Sequence, residues 1–482
     1  MVVDFHSISD ITSSITIDSL LLALSLIIIA SWLYLFLISI RSYILTPSII
    51  SEKKQRQRMT SISSTLQYTN DKKIIKPIKD EDKKNRSPDD LAFYYKKDTT
   101  CPPPSTVPFV SVIVPARNEQ DNIERCILSL LGQNYPNFEV IAIDDNSTDN
   151  TLDIMQNIKS REKNLKAKKL LILSLTDKPD DWTGKTWASQ QGYLKSSGNV
   201  LLFTDADTYF SNKDAILLTI LYMQKEDLDV LTGIPYIELR DFWSKITMPV
   251  WNHFSILLGA NTACMNNPKC KAAYLNGSFI MMNRKVFEEI GTYRSVRKAI
   301  QEDKSLGVRI KEAGYSVKII RIDKIMSALW SRDLHTLWHG IGRTLAPMNR
   351  LRIVMNLLII FFMVTLPFLI TIYTISIAVI QQQFGFVSLL QFHIDDFHSI
   401  VLVLIAACSI IVIAATAIKD VKKYKITPIY SLLSFLGAIL LMAGYIANII
   451  PLLISDKVKS IVWRGRKQRY SREEEEEERF AA

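Results

Sequence analysis

The chain has 482 residues, 48% of them hydrophobic and 22% charged, with 16 Gly, 17 Pro and 5 Cys. That length suggests two or three domains, and the composition excludes a collagen, a low-complexity chain and a disulfide-stapled secreted module. A net charge of +10 fits an anionic partner such as phosphate, nucleic acid or a lipid surface.

The first signal in chain order is Ser19 to Ile40, a run without a charge. At about 1.5 Å rise per residue it is roughly 33 Å long, enough to cross a bilayer core. Asp4, Asp10 and Asp18 precede it without any Lys or Arg, and Arg41, Lys53, Lys54, Arg56 and Arg58 follow. A cleaved signal peptide has the opposite charge order and a shorter apolar stretch. Residues 1–40 therefore read as a retained membrane anchor with its N-terminus outside. Residues 41–104 are rich in Lys, Asp and Ser and end in Pro102-Pro103-Pro104. They read as a polar basic linker at the membrane surface. The linker lacks aromatic interleaving and any nucleic-acid motif, so lipid head groups are the expected partner and nucleic acid is not.

Between 105 and 346 the pattern changes. Phe109 to Val114 is a β-branched run stopped by Pro115, and Asn122 to Leu131 has helical spacing of Ile123, Ile127, Leu128, Leu130 and Leu131. Strand runs recur at Phe138 to Ile143, Leu170 to Leu175 and Asn199 to Thr204, with helical stretches at Leu152 to Ile158 and Lys185 to Ser196. Strand and helix alternate, and the strands are continuous apolar runs. This predicts an α/β fold, a mostly parallel sheet with helices on both faces. A helix is also expected from Lys304 to Ala313, stopped by Gly314.

Apolar runs return at 353–380, 400–418 and 427–454, giving a C-terminal transmembrane region over 347–456 and a charged tail over 457–482. Asp395 and Asp396 place one connection outside; Lys419, Lys422, Lys423 and Lys425 place the next inside. Four full spans would put the basic tail outside. Either the last run is a re-entrant hairpin or interfacial pair broken near Pro451, or the charge rule fails here; a cytoplasmic tail is the expectation.

The acidic residues carry the chemistry. In open α/β sheets ligands bind beyond the carboxyl ends of strands, and Asp144, Asp145, Asp205 and Asp207 fall at such ends. A D-x-D pair after a strand suits a hard divalent cation that bridges a diphosphate. Asp is also common in turns, but two acidic strand ends and a later pair, Glu302-Asp303, favour a metal. That later pair reads either as charge at a helix start or as a general base. His335 and His339 are four apart and could share a helix face; without an H-E-x-x-H context zinc is the lesser reading and an interfacial helix the expected setting. Cys264 and Cys270 lack a second pair, and a cytoplasmic position favours free thiols.

Val112-Ile113-Val114-Pro115-Ala116-Arg117-Asn118-Glu119, Asp144-Asp145-Asn146-Ser147-Thr148-Asp149 and Thr204-Asp205-Ala206-Asp207 resemble the family 2 inverting glycosyltransferases of GT-A fold. Trp182-Thr183-Gly184-Lys185-Thr186-Trp187-Ala188, Asn276 to Gly291, Val296 to Asp303 and the tail Trp463-Arg464-Gly465-Arg466 with Tyr470 are similar to its membrane-anchored lipid branch. That branch includes the hopanoid-associated, carotenoid and ceramide glucosyltransferases. The resemblance implies that Pro115, Arg117 and Glu119 line the nucleotide pocket and that Asp145, with Asp144, contacts uracil or ribose. It implies Lys185 near the nucleotide and Asp205 and Asp207 on Mg²⁺ or Mn²⁺, with Asp205 also at the nucleotide-sugar. It makes Asp303 the base and Glu302 its support. The processive Q-x-x-R-W signature is missing from Leu334 to Arg343, where Trp338 and Arg343 are assigned to the diphosphate or acceptor.

The expected protein is an integral plasma-membrane glycosyltransferase with a cytoplasmic catalytic domain. It would move a sugar from a nucleotide-diphosphate donor, a UDP-sugar by expectation, to a lipid-linked hydroxyl. A processive polysaccharide synthase and a non-catalytic nucleotide-sugar-binding scaffold stay as alternatives.

Overall fold

Val110–Ala116 (β1) is buried along almost its whole length, which the run of β-branched residues requires. The computed structural model principally describes residues 30–49, 107–161, 169–257, 262–270, 274–365, 418–454 and parts of 459–470. Two compact units result, one of 46–236 with 266–328, the other of 1–45, 237–265 and 329–482. The expected segment 105–346 contributes to both.

In the first unit, strand and helix alternate as expected: β1, α1 (Ile123–Leu131), β2 (Phe138–Asp145), α2 (Thr151–Arg161), β3 (Lys169–Leu175), α3 (Gly184–Leu194) and β4 (Val200–Phe203). Then come β5 (Thr208–Phe210), α4 (Ala215–Lys225), β6 (Val230–Ile234), β7 (Ile280–Asn283), α5 (Arg284–Glu289), α6 (Glu302–Glu312), β8 (Val317–Arg321) and β9 (Met326–Leu329). Among the described residues the main sheet has seven strands in the order β3-β2-β1-β4-β7-β6-β8. Only β7 runs antiparallel to its neighbours β4 and β6; β1 with β2 and β4, β2 with β3, and β6 with β8 are parallel. The mostly parallel α/β sheet is as predicted.

Both faces of the sheet are covered. Val112, Val114, Val140 and Ala142 pack on Ile123, Ile127, Leu130 and Met155, while Ile113, Ile141, Ile143 and Leu201 pack on the other side with Ala188, Phe287 and Leu306. Alternate residues of one strand thus serve two cores, as the period of two demands. Each fully buried Val, Leu or Ile contributes about 1.5–3 kcal/mol.

A buried polar knot closes the far edge. Glu139 accepts from Ser111 Oγ at 2.7 Å and from Ser197 N and Oγ at 2.8 and 2.9 Å. Gly198 N donates to Ser111 Oγ at 2.7 Å, and a Cβ on Gly198 would lie 2.6 Å from Phe109 O and Ser111 N. Those are backbone atoms, which cannot swing aside. Gly198→Ala is expected to lower stability by about 1–3 kcal/mol, as overpacking does. Urea unfolding of the two proteins checks this; equal midpoints would contradict it.

The start of the expected linker is built into this unit. Arg321 N donates to Pro47 O at 2.7 Å and Ile49 N to Arg321 O at 3.2 Å, so the chain at Ser48 runs along β8. Residues 51–104 lie outside the described residues, as do 1–29.

Among the described residues the second unit is mainly helical, with a hairpin, Lys459–Trp463 with Arg466–Tyr470. Its core gathers Val250, Leu337, Ile341, Leu345, Ile353, Leu441 and Tyr445. The run expected to span at 353–380 begins as helix Arg350–Ile360 and a π-helical turn, Phe361–Thr365. The 427–454 run is split at Leu433 into Pro428–Leu432 and Ser434–Ile454, with side chains described as far as Ile450. Residues 19–29 and 400–417 lie outside the described residues. Among the described residues no helix is long and apolar enough to cross a membrane.

Candidate active site

The loops after β1 and β2 are locked to each other. Asn118 and Asn146 both take positive φ of 53°, a conformation in which Asn is enriched among non-glycine residues. Asn118 N donates to Ser147 Oγ at 3.0 Å, Thr148 N to Asn118 Oδ1 at 2.9 Å, and Glu119 N to Thr151 Oγ1 at 2.8 Å. Arg117 donates to the carbonyl of Asp145 at 2.5 Å and to that of Asn146. Glu119 is buried and accepts from Asn122 Nδ2 at 2.9 Å. Arg117 and Glu119 therefore tie the loops after β1 and β2 together. Asp144 and Asp145 are both buried at the end of β2. Asp144 Oδ2 accepts from Ser147 N at 3.3 Å, while its Oδ1 is buried and has no hydrogen-bond partner among the described residues.

A second cluster lies at the ends of β4 and α6. Pro115, Lys185, Ser189, Thr204, Asp205, Gly277, Tyr293, Glu302 and Asp303 line one cleft. Lys185 is in the first turn of α3, which starts at the Thr183 cap; Thr186 N donates to Thr183 Oγ1 at 3.3 Å. A cation there opposes the helix dipole, and two carboxylates offset it. Lys185 Nζ is 2.8 Å from Asp205 Oδ1 and 3.0 Å from Glu302 Oε1. The turn carrying Asp205 is pinned by Thr204 Oγ1 donating to Ser278 O and Thr208 Oγ1 to Asp205 O, both at 2.8 Å.

Gly277 opens the space between these groups. A Cβ there would lie 2.9 Å from Lys185 Nζ, 3.3 Å from Asp303 Oδ2 and 3.9 Å from Asp205 Oδ2. The two carboxylates therefore face one gap, one from the strand end and one from the helix start. Asn276 Oδ1 accepts from Ser278 N at 3.1 Å and from Ser278 Oγ at 2.6 Å, which holds the loop in this shape.

Glu302 and Asp303 differ in burial. Glu302 is only 2% exposed and is held by Lys185, whereas Asp303 is half-buried and reaches the cleft. Both are in the first turn of α6, which starts at Glu302, two residues before the expected Lys304. Asp303 Oδ1 also accepts from Lys304 N at 2.8 Å. Burial pushes the Tyr293 phenol well above its usual range, and Lys185 only partly offsets this. Cys126, behind Asp205, is pushed up to about 12, first by burial. Neither hydroxyl nor thiol ionises near neutral pH.

The arrangement suits a divalent cation. Asp205, Glu302 and Asp303 against Lys185 leave an excess of about two negative charges, all on hard oxygen. Asp207 is half-buried two residues on, and its charge reaches Cys126. Among the described residues no three His, Cys, Asp or Glu converge as a complete ligand set. A cation held by Asp205 and Asp207 would thus take its other ligands from phosphate and water, which is how Mg²⁺ is usually bound.

Of the residues expected at the site, Pro115, Lys185, Asp205, Glu302 and Asp303 come together in the cleft. Arg117, Glu119, Asp144 and Asp145 form the adjoining loop pair. Trp338 and Arg343 belong to helix Leu334–Leu345 of the other unit. Gly277 and Tyr293 were missed. Gly277 sits in a stretch that carried the family resemblance without a role, and Tyr293 had no signal beyond its aromaticity. Cys270 corrects the free-thiol expectation, for it is disulfide-bonded. Its backbone is pinned by Cys270 N donating to Asn267 O and Lys311 Nζ to Cys270 O, both at 3.0 Å.

Residues 111–291 match the family model Glycosyl transferase family 2. The chain is 37% identical over 105 residues to glycosyltransferase AglE of Haloferax volcanii, covering 21% of this chain and 32% of that protein. It is 25% identical over 221 residues to the probable glycosyltransferase YdaM of Bacillus subtilis, covering 44% and 49%. It is 26% identical over 200 residues to a 4,4'-diaponeurosporenoate glycosyltransferase of Staphylococcus aureus, covering 41% and 50%. The chain spans half or less of the length of these relatives. Among solved structures, the mannosyltransferase PcManGT of Pyrobaculum calidifontis, in complex with GDP-Man and Mn²⁺, aligns with a TM-score of 0.41 at 16% identity, over 74% of this chain and 92% of that one. Residues 111–291 thus carry a likeness to glycosyl transferase family 2, and the relatives named here are glycosyltransferases.

Proposed function

We propose that the chain is an inverting glycosyltransferase that moves one sugar from a nucleotide-diphosphate donor to a lipid-linked hydroxyl at a membrane. The observation that carries this is the Gly277 gap, where Asp205 and Asp303 face one point beside Lys185. A donor laid across the sheet edge puts its base against Asp144 and Asp145, whose buried acceptors suit a nucleobase N–H. Its diphosphate meets Lys185 and Asp205, and its anomeric carbon lies in the gap. Asp303 takes the proton of the acceptor hydroxyl. That oxygen bonds to the anomeric carbon as the bond to the diphosphate breaks on the opposite face, which inverts the centre. Glu302 keeps Lys185 in place. A bound Mg²⁺ or Mn²⁺ supplies charge neutralisation for the leaving diphosphate.

The lipid acceptor is supported by the relative that acts on diaponeurosporenoate. The second unit leaves Leu351, Met355, Ile429, Ile439, Ile446 and Ile450 exposed, apolar side chains that are compatible with lipid contact. The N-terminal anchor, the C-terminal spans and the cytoplasmic orientation belong to the same proposal, on the Lys and Arg placement. Single transfer is favoured over polymer extension by the missing Q-x-x-R-W.

Metal removal tests the site. With EDTA, release of nucleotide diphosphate from the donor should stop, and it should return with Mg²⁺ or Mn²⁺. Full turnover in metal-free protein would remove the cation from this reading.

A further inference from the structure

Two side chains outside the cleft converge on one point. His335 and His339 lie on helix Leu334–Leu345, with their Nε2 atoms 3.2 Å apart and their rings 4.5 Å apart at 69°. Residues four apart stack on one helix face. The turn beneath them is fixed by a capping box, in which Thr336 N donates to Asp333 Oδ1 at 2.8 Å and Asp333 N to Thr336 Oγ1 at 3.1 Å. Leu337, Ile341 and Leu345 bury the opposite stripe. Neither histidine is needed for that core.

The simplest account is a hydrogen bond between two neutral imidazoles. Geometry favours more. Two nitrogens on a tetrahedral ion, each about 2.0–2.1 Å from the metal, stand about 3.3 Å apart. Both rings turn the same nitrogen to the shared point.

We propose that His335 and His339 form a surface site for one transition-metal ion of the Zn²⁺, Ni²⁺ or Cu²⁺ class, both binding through Nε2. Among the described residues no set of three His, Cys, Asp or Glu side chains converges there, so water fills the remaining positions and the ion exchanges readily. Imidazole selects these ions, whereas the carboxylates of the cleft select Mg²⁺ or Mn²⁺. An ion here ties the first two turns of the helix together.

Titrating Cu²⁺ into the purified full chain, followed by electron paramagnetic resonance, tests this directly. One equivalent should give nitrogen hyperfine structure from two imidazoles, and His335→Gln and His339→Gln should each abolish the two-nitrogen pattern. Zn²⁺ should compete for the same equivalent. No stoichiometric two-nitrogen signal in the parent, or an unchanged signal in both variants, overturns the site. His335 is exposed, so its substitution leaves the fold intact and decides the matter even where His339→Gln is unstable.

Discussion

Asp303→Asn is expected to lower kcat by about 10²- to 10⁴-fold, the usual contribution of general base catalysis, while leaving nucleotide affinity nearly unchanged. The reasons are geometric. Asp303 Oδ2 faces the Gly277 gap, so an amide there fills the same space but takes no proton. In the proposed reading the donor is held elsewhere, by the β2 end and by Lys185 with Asp205, which pair with each other. A purely structural role for Asp303 predicts something different. It sits in the first turn of α6, where a charge is worth only about 0.3–1 kcal/mol, so Asn would be nearly neutral in rate. Transfer assays alongside nucleotide titration of the variant separate the two outcomes. Near-normal transfer would take the base role from Asp303.

Lys185→Met is expected to lower stability as well as rate. The Glu302 side chain is 3% exposed and loses its ammonium partner, while Lys185 itself is 24% exposed. Breaking a buried pair by removing one partner costs about 3–5 kcal/mol, and partial exposure of the lysine puts this case near 3. Adding Glu302→Leu to Lys185→Met should recover part of that loss, since the buried carboxylate that loses this ammonium is then gone. Urea midpoints of the single and double variants measure the coupling. A cost below about 1 kcal/mol would mark the contact as an ordinary surface pair.

Much of the catalytic fold was legible because buried parallel strands read as continuous apolar runs. Phe138–Asp145 and Val200–Phe203 end where their acidic residues begin, so Asp144, Asp145 and Asp205 could be placed at the sheet edge from local pattern alone. The wiring of the site was not legible. Lys185 meets Asp205 and Glu302 only because α3, β4 and α6 converge, and no local spacing encodes that meeting. Gly277 is the sharpest case, since its role is the side chain it lacks. Arg117 and Glu119 show the reverse. They lie next to the pocket, yet their own bonds run to Asp145, Asn146 and Asn122, so they shape loops. Hydropathy counts length and charge but not where a helix breaks, and the 427–454 run divides at Leu433.

Sugar transfer to a lipid is tested most directly by incubating membranes that carry the chain with labelled nucleotide-diphosphate sugars and then extracting the lipids. The account predicts label in the lipid fraction, one sugar per lipid, with inverted anomeric configuration and loss of the signal in Asp303→Asn. Label found only as free sugar or as a long polymer, with none in lipid, would contradict it.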